Sequence, residues 1–154
     1  MKKTKDPFNI KIVLRHPSYK PTDISKVLSL KPEFSYAVGQ KFLKSSAKWT
    51  RFCACLQKGN YASEYGRALT KVVLFLEKNS TFWTEFMVGN GEVELILNHE
   101  ISPQWEEGDK CFELSLAPAL LAQLSTRGID LRVQGWFKAD KSRPLRRSRH
   151  RNSS

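Results

Sequence analysis

Hydrophobic and polar residues alternate in seven short stretches of the chain, and this period of two predicts β-strands. The clearest stretch begins at Phe8, where every second residue is apolar as far as Leu14. Gly89-Asn90-Gly91 follows the fourth stretch and is typical of a tight turn, so a hairpin is predicted there. In chain order, the predicted strands cover 8–14, 34–38, 49–57, 82–88, 92–98, 111–116 and 129–137.

Three further segments carry apolar residues at the spacing of one helical face. The first is a short helix with Thr22 or Asp23 as its predicted cap, because side-chain oxygens of these types accept hydrogen bonds from the first turn. Lys31-Pro32 is predicted to stop it, since the residue before a proline avoids helical geometry. The other two helices are predicted between 63 and 79 and between 118 and 128.

These elements follow each other in the order strand, helix, two strands, helix, three strands, helix, strand. This order favours an α+β fold with the helices packed on one face of a mainly antiparallel sheet. We therefore predict a flexible N-terminus at 1–7, a single domain at 8–137 and a disordered tail at 138–154. The tail holds one large aliphatic residue, Leu145, and cannot bury enough surface to offset its chain entropy.

The net charge of +11 in 154 residues is unevenly distributed. The tail holds seven basic residues and one acidic residue, which is a net charge of +6. Such a segment neutralises nucleic-acid phosphates without reading sequence, because it holds no aromatic side chain that stacks on bases. A solubilising end, an acidic protein partner and vector-derived sequence are open alternatives. The candidate nucleic-acid contacts are Lys141, Arg143, Arg146, Arg147, Arg149 and Arg151.

Three features bear on the compartment of the protein. The basic residues at the start precede an apolar stretch that Lys11 and Arg15 interrupt, which argues against a secretion signal. The longest apolar run near a predicted helix, 72–76, is far shorter than the roughly 18 residues of a membrane span. Three cysteines, an odd number, fit a reducing compartment. We therefore expect a cytoplasmic protein that does not enter a membrane.

Candidate catalytic and metal-binding residues are few. His16 and His99 end two predicted strands, and if those ends meet, the pair has the chemistry of an acid–base dyad in a small hydrolase. Loop histidines that bind turn carbonyls are the more common explanation. Cys53 and Cys55 form a C-x-C pair, but no further ligands stand at a metal-binding spacing, which indicates two half-buried residues. We therefore predict no catalytic residues, no metal and no cofactor.

Tryptophans provide a candidate docking surface. Trp83 and Trp136 lie on predicted strands, opposite the main apolar rows, and Trp105 lies in a predicted loop. If exposed, they suit a binding hot spot, in which tryptophan is enriched, and the alternative is a minor core beneath the loops. The leading hypothesis is a non-enzymatic module that docks a protein partner through these three residues. The second is an accessory RNA- or DNA-binding protein that uses the tail.

Three stretches give the chain a resemblance to a known family. Residues 21–32 follow a turn at Pro17, a small loop at Gly39-Gln40 leads to the strand at Trp49, and the strand 112–116 precedes a leucine-rich helix. In this order they resemble the bacterial domain of unknown function 4279, over about residues 8–137. The resemblance implies a fold rather than an activity, and it suits an immunity or accessory protein in bacterial conflict systems.

Overall fold

A computed structural model describes residues 5–101 and 116–137, in which five strands form one sheet. The spatial order of the sheet is β2-β5-β1-β6-β7, and β3 and β4 form a separate two-stranded hairpin. The strands are β1 (Phe8–His16), β2 (Phe34–Tyr36), β3 (Lys41–Phe42), β4 (Ser45–Ser46), β5 (Thr50–Gly59), β6 (Glu92–Ile101) and β7 (Asp130–Phe137).

Strand β1 is the centre of the sheet and pairs antiparallel with both β5 and β6. Strand β2 is antiparallel to β5, whereas β7 runs parallel to β6. Because successive side chains of a strand point to opposite faces, Phe8, Ile10, Ile12 and Leu14 all lie on one face, where they are buried. The mainly antiparallel sheet predicted from the sequence is confirmed.

Four helices cover this apolar face. They are α1 (Pro21–Leu28), α2 (Tyr65–Lys78), α3 (Ser80–Val88) and α4 (Pro118–Arg127), and a short 3-10 turn at Ala62–Glu64 precedes α2. Each helix contributes buried residues to the same core as the apolar row of β1, as Ile24, Val72, Phe86 and Leu120 illustrate. The α+β fold is therefore confirmed. None of the helices in the described ranges is long and apolar enough to cross a lipid bilayer.

The segment predicted as a fourth strand is a helix, and this is the main correction to the predicted order of elements. Phe82, Trp83 and Phe86 are buried on one face of α3, a spacing that fits a helix and not a strand. Asn90, with a φ of 65°, follows the end of α3, so Gly89-Asn90-Gly91 ends a helix instead of closing a hairpin. A side chain at Gly91 would overlap the ring of Phe86, which explains why glycine stands there.

The start of α1 also differs from the prediction. The helix begins at Pro21, and the carbonyl of Lys20 accepts the hydrogen bond from the backbone N–H of Ile24, without a side-chain cap. Proline suits the first helical position because its missing N–H has no helical partner there. Residues 1–4, 102–115 and 138–154 lie outside the described residues, and with them most of the strand predicted at 111–116.

Candidate functional site

The face of the sheet that lies opposite the core carries polar and charged side chains. Lys11 and Glu33 form an ion pair with an N–O distance of 2.8 Å, and Arg132 and Glu94 form another at 2.8 Å. The hydrogen bond with Glu33 raises the pKa of Lys11. Because these pairs are partly exposed, each contributes about 1 kcal/mol or less to stability. We call this side of the sheet the open face. Its ion pairs remain in contact with solvent, whereas Val13 and Ile96 on the same face are buried.

A series of three aromatic rings lies at the β2 edge of the open face. Phe34 and Tyr36 on β2 have ring centroids 5.6 Å apart, and Tyr36 is 5.3 Å from Phe42 on β3. Both pairs are edge-to-face, with interplanar angles of 79° and 87°. Phe34 is 54% exposed and Phe42 is 46% exposed, so the two outer rings remain in contact with water. These rings do not belong to the core.

The register of β2 explains why these rings point away from the core. Phe34 pairs with Cys53 of β5, and Ser35 pairs with Phe52, which is fully buried in the core. Paired residues of neighbouring strands share a face of the sheet, so Ser35 faces the core and Phe34 faces outward. The alternation of the strand therefore exposes its two aromatic residues and directs its serine inward.

The hairpin after β2 extends this apolar surface. Leu43, between β3 and β4, is fully exposed, and Val38 and Trp49 also remain exposed. The segment 34–49 holds five of the ten large hydrophobic side chains that are exposed in the described part of the chain. We call the surface formed by the three rings and the hairpin tip the aromatic edge, and its residues are Phe34, Tyr36, Phe42 and Leu43.

Positive charge is concentrated in the same part of the chain. Residues 31–51 hold five basic residues and one acidic residue, Glu33, which is already paired with Lys11. All described residues together hold 16 basic and 10 acidic residues, a net charge of +6, of which this segment supplies +4. The basic residues of the segment are Lys31, Lys41, Lys44, Lys48 and Arg51.

Two of the three tryptophans predicted to form a docking surface, Trp83 and Trp136, do not lie together. Trp83 is 1% exposed in α3, and its indole N–H donates a hydrogen bond of 3.0 Å to the carbonyl of Leu76. Its predicted position on the outer face of a strand is therefore wrong, because helix α3 directs it into the core. Trp136 lies half-buried on β7, where it lines a recess of about 490 Å³ with Asn9 and Lys11. Trp105 lies outside the described residues.

His16 and His99 lie at opposite ends of the sheet. His99 of β6 pairs with Phe8 at the start of β1, whereas His16 is the last residue of β1. Eight residues of strand separate the two positions, which is about 26 Å at roughly 3.3 Å per residue. The acid–base pair that the hydrolase hypothesis requires is therefore excluded by the topology.

His16 stabilises the turn between β1 and α1. Its Nδ1 accepts hydrogen bonds of 3.0 Å from the backbone N–H groups of Ser18 and Tyr19. The bonding partners are thus amide groups, not the turn carbonyls expected from the sequence. The ring lies 4.5 Å from the ring of Tyr19 and 4.7 Å from that of Phe86. Burial lowers the pKa of His16, and the carbonyl of Phe86 opposes this effect in part.

Cys53 and Cys55 are half-buried on the open face, as the sequence indicated. Burial raises the pKa of both thiols, which favours the unreactive protonated form. Within residues 5–101 and 116–137, no group of three or more metal-ligating side chains comes together. Among the described residues, the surroundings of Cys53 and Cys55 therefore support a packing role for both side chains.

No binding surface was predicted at the aromatic edge, although the sequence of this segment carries a signal for one. Residues 31–51 interleave aromatic residues with lysines, a pattern typical of surfaces that bind nucleic acids.

The basic tail residues 141–151 lie outside the described residues, so their proposed role stays a prediction. No family model, no curated protein and no solved structure matches this chain. The resemblance to domain of unknown function 4279 also stays a prediction.

Proposed function

We propose that this chain is a non-enzymatic binding module that docks a macromolecular partner through the aromatic edge. The observation that carries the proposal is that Phe34 and Phe42, which both contact Tyr36, and Leu43, the residue after Phe42, are exposed outside the core. A cluster of exposed apolar side chains with polar residues around it is typical of an interaction site. Aromatic residues in such a cluster provide a large contact area with few rotatable bonds.

The proposal keeps the binding role inferred from the sequence but moves it to another surface. Trp83 cannot contact a partner while it is buried in the core. Trp136 lies on edge strand β7 and lines a recess that extends across the sheet to Cys55 of β5 and to Glu33, the residue before β2. The described residues therefore do not support docking through Trp83 and Trp136 together. The aromatic edge supplies a contiguous alternative.

A site-specific crosslinking experiment tests the proposal. A photo-crosslinking amino acid replaces Leu43, and in a matched control it replaces Val88, which is exposed at the end of α3. The full chain is irradiated in an extract of the cells that produce it. We expect one crosslinked adduct from position 43. An excess of the protein without the photo-crosslinking residue should prevent its formation, and an excess of the F34A/F42A variant should not.

Two results would contradict the proposal. One is an adduct pattern from position 43 that equals the pattern from position 88. The other is equal competition by the unlabelled protein and the double variant, which would mean that the rings do not contribute to docking. Thermal unfolding of the double variant provides the folding control, since both replaced rings are about half exposed in the parent protein.

A further inference from the structure

We propose that the partner of the aromatic edge is a single-stranded nucleic acid, whose bases stack on the exposed rings and whose phosphates contact the surrounding lysines. This inference rests on the function proposed above and assigns its partner class. Three independent features of the surface carry it: the arrangement of the rings, the distribution of charge and the residue types of the hairpin.

The rings are arranged so that bases have access to them. Phe34 and Phe42 each contact Tyr36 edge-to-face, and neither packs against another ring within the described residues. An edge-to-face contact leaves ring surface uncovered on both partners, unlike a parallel stack. Phe34 and Phe42 are each about half exposed, so a base can reach this surface. Stacking of this kind tolerates any base, because every base has a π-face.

The charge around the rings is complementary to phosphate. Lys41, Lys44 and Lys48 are exposed on the hairpin and next to it, and Lys31 is exposed just before β2. Glu33 is the one carboxylate in residues 31–51, and its pairing with Lys11 neutralises it. A nucleic-acid strand that follows the rings therefore meets a segment, 31–51, with a net charge of +4. For single strands, each neutralised phosphate adds about −0.7 to the slope of log K against log salt.

The residue types of the hairpin, residues 41–48, favour nucleic acid over protein as the partner. Protein interfaces are depleted in lysine, serine and alanine relative to the remaining surface. The segment from 41 to 48 reads Lys-Phe-Leu-Lys-Ser-Ser-Ala-Lys, so six of its eight residues belong to these depleted types. A single strand is favoured over a duplex because side-chain rings stack only on bases that are splayed out.

Fluorescence anisotropy with the full chain tests the inference. The probes are fluorescein-labelled 12-nucleotide oligo-U and oligo-dT, and a labelled 12-base-pair duplex. We expect both single strands to bind more tightly than the duplex, and the RNA-to-DNA ratio to identify the preferred chemistry. Phe34→Ala and Phe42→Ala are each expected to weaken binding by about five- to hundredfold, as loss of one stacked base predicts. Leu74→Ala, which removes an exposed apolar side chain from α2, is expected to leave binding unchanged.

Two matched charge variants separate the contribution of the lysines at the aromatic edge from that of the tail and from that of exposed lysines elsewhere on the surface. The K41Q/K44Q/K48Q variant and the K26Q/K71Q/K78Q variant both remove three exposed lysines and retain the whole tail. We expect the salt slope to become shallower by about 2 in the first variant and to stay that of the parent in the second. Equal slopes in both triple variants, or ring variants that bind as the parent does, would overturn the inference.

The crosslinking experiment separates this inference from the proposed function. A specific adduct at position 43 that nuclease removes supports both. If protease degrades the crosslinked partner and nuclease does not, the partner is a protein. This result would support the binding module and reject nucleic acid as its partner. The absence of a specific adduct would reject the binding module itself.

Discussion

Replacing Trp83 with alanine separates the core position seen in the structure from the exposed position predicted by the sequence. Trp83 is 1% exposed and contacts the rings of Phe75 and Phe82 at centroid distances of 5.9 and 4.9 Å. The substitution removes these contacts, leaves a cavity and removes the hydrogen bond to the carbonyl of Leu76. Large-to-small changes of a buried tryptophan lower the free energy of unfolding by about 3–5 kcal/mol.

The expected loss is large against a typical domain stability of about 5–15 kcal/mol. At about 2–4 °C per kcal/mol for a chain of this size, the midpoint of thermal unfolding falls by roughly 6–20 °C. Urea denaturation followed by circular dichroism measures the change in the free energy of unfolding. Trp83→Phe retains most of the packing and is expected to lose less than half as much.

Trp136→Ala is the matched control, because Trp136 is half-buried at the edge strand β7. We expect it to lose clearly less stability than Trp83→Ala. A Trp83→Ala protein that unfolds within about 0.5 kcal/mol of the parent would refute the reasoning, since surface substitutions have effects of that size.

Three further predictions concern stability. Phe34→Ala is expected to change the free energy of unfolding by less than about 1 kcal/mol in urea denaturation, because the ring is half exposed, and a loss of 3 kcal/mol would place it in the core. Burial lowers the pKa of His16, so the unfolded chain binds a proton more readily, and stability is expected to fall as pH drops below about 6.5. His16→Asn should reduce this pH dependence in melting curves recorded between pH 5 and 8, and an unchanged dependence would assign it to other groups. Gly91→Ala is expected to lose about 1–3 kcal/mol through overlap with a neighbouring ring, whereas Gly66→Ala, with open space around it on α2, is expected to gain up to about 1 kcal/mol. A similar midpoint for both glycine variants would contradict the steric argument.

The sequence predicted the strands of the sheet better than the segment between Ser80 and Val88. In β1 and β6 every second residue is apolar and this row is buried in the core, although Val13 and Ile96 on the opposite face are buried as well. In α3 the residues Phe82, Phe86 and Val88 stand at the even spacing of a strand, whereas Phe82, Trp83 and Phe86 share one face of a helix. Only packing against the sheet decides between the two, because a helix there buries three aromatic side chains at once.

The aromatic edge could be located in the sequence but not assigned to the surface. The pattern at 34–38 predicts a strand, yet it does not say which face of that strand is covered. The pairing of Ser35 with Phe52 decides this, because it directs the serine inward and leaves Phe34 and Tyr36 on the open face. The net charge of the whole folded domain likewise did not reveal the positive charge of residues 31–51. Glu92, Glu94 and Glu100 on β6 offset part of that charge in the total.

The sequence alone specified the fold class of this protein, because periods of two and 3.6 residues define which elements can bury one face. It also determined that the tail holds more than half of the net charge. The tertiary structure was needed to show that Trp83 is a core residue, that His16 and His99 lie apart, and that Phe34 and Tyr36 face away from the core. The positions of the histidines and rings depend on strand order and register, and that of Trp83 depends on the packing of α3, and local periodicity carries no information about such contacts.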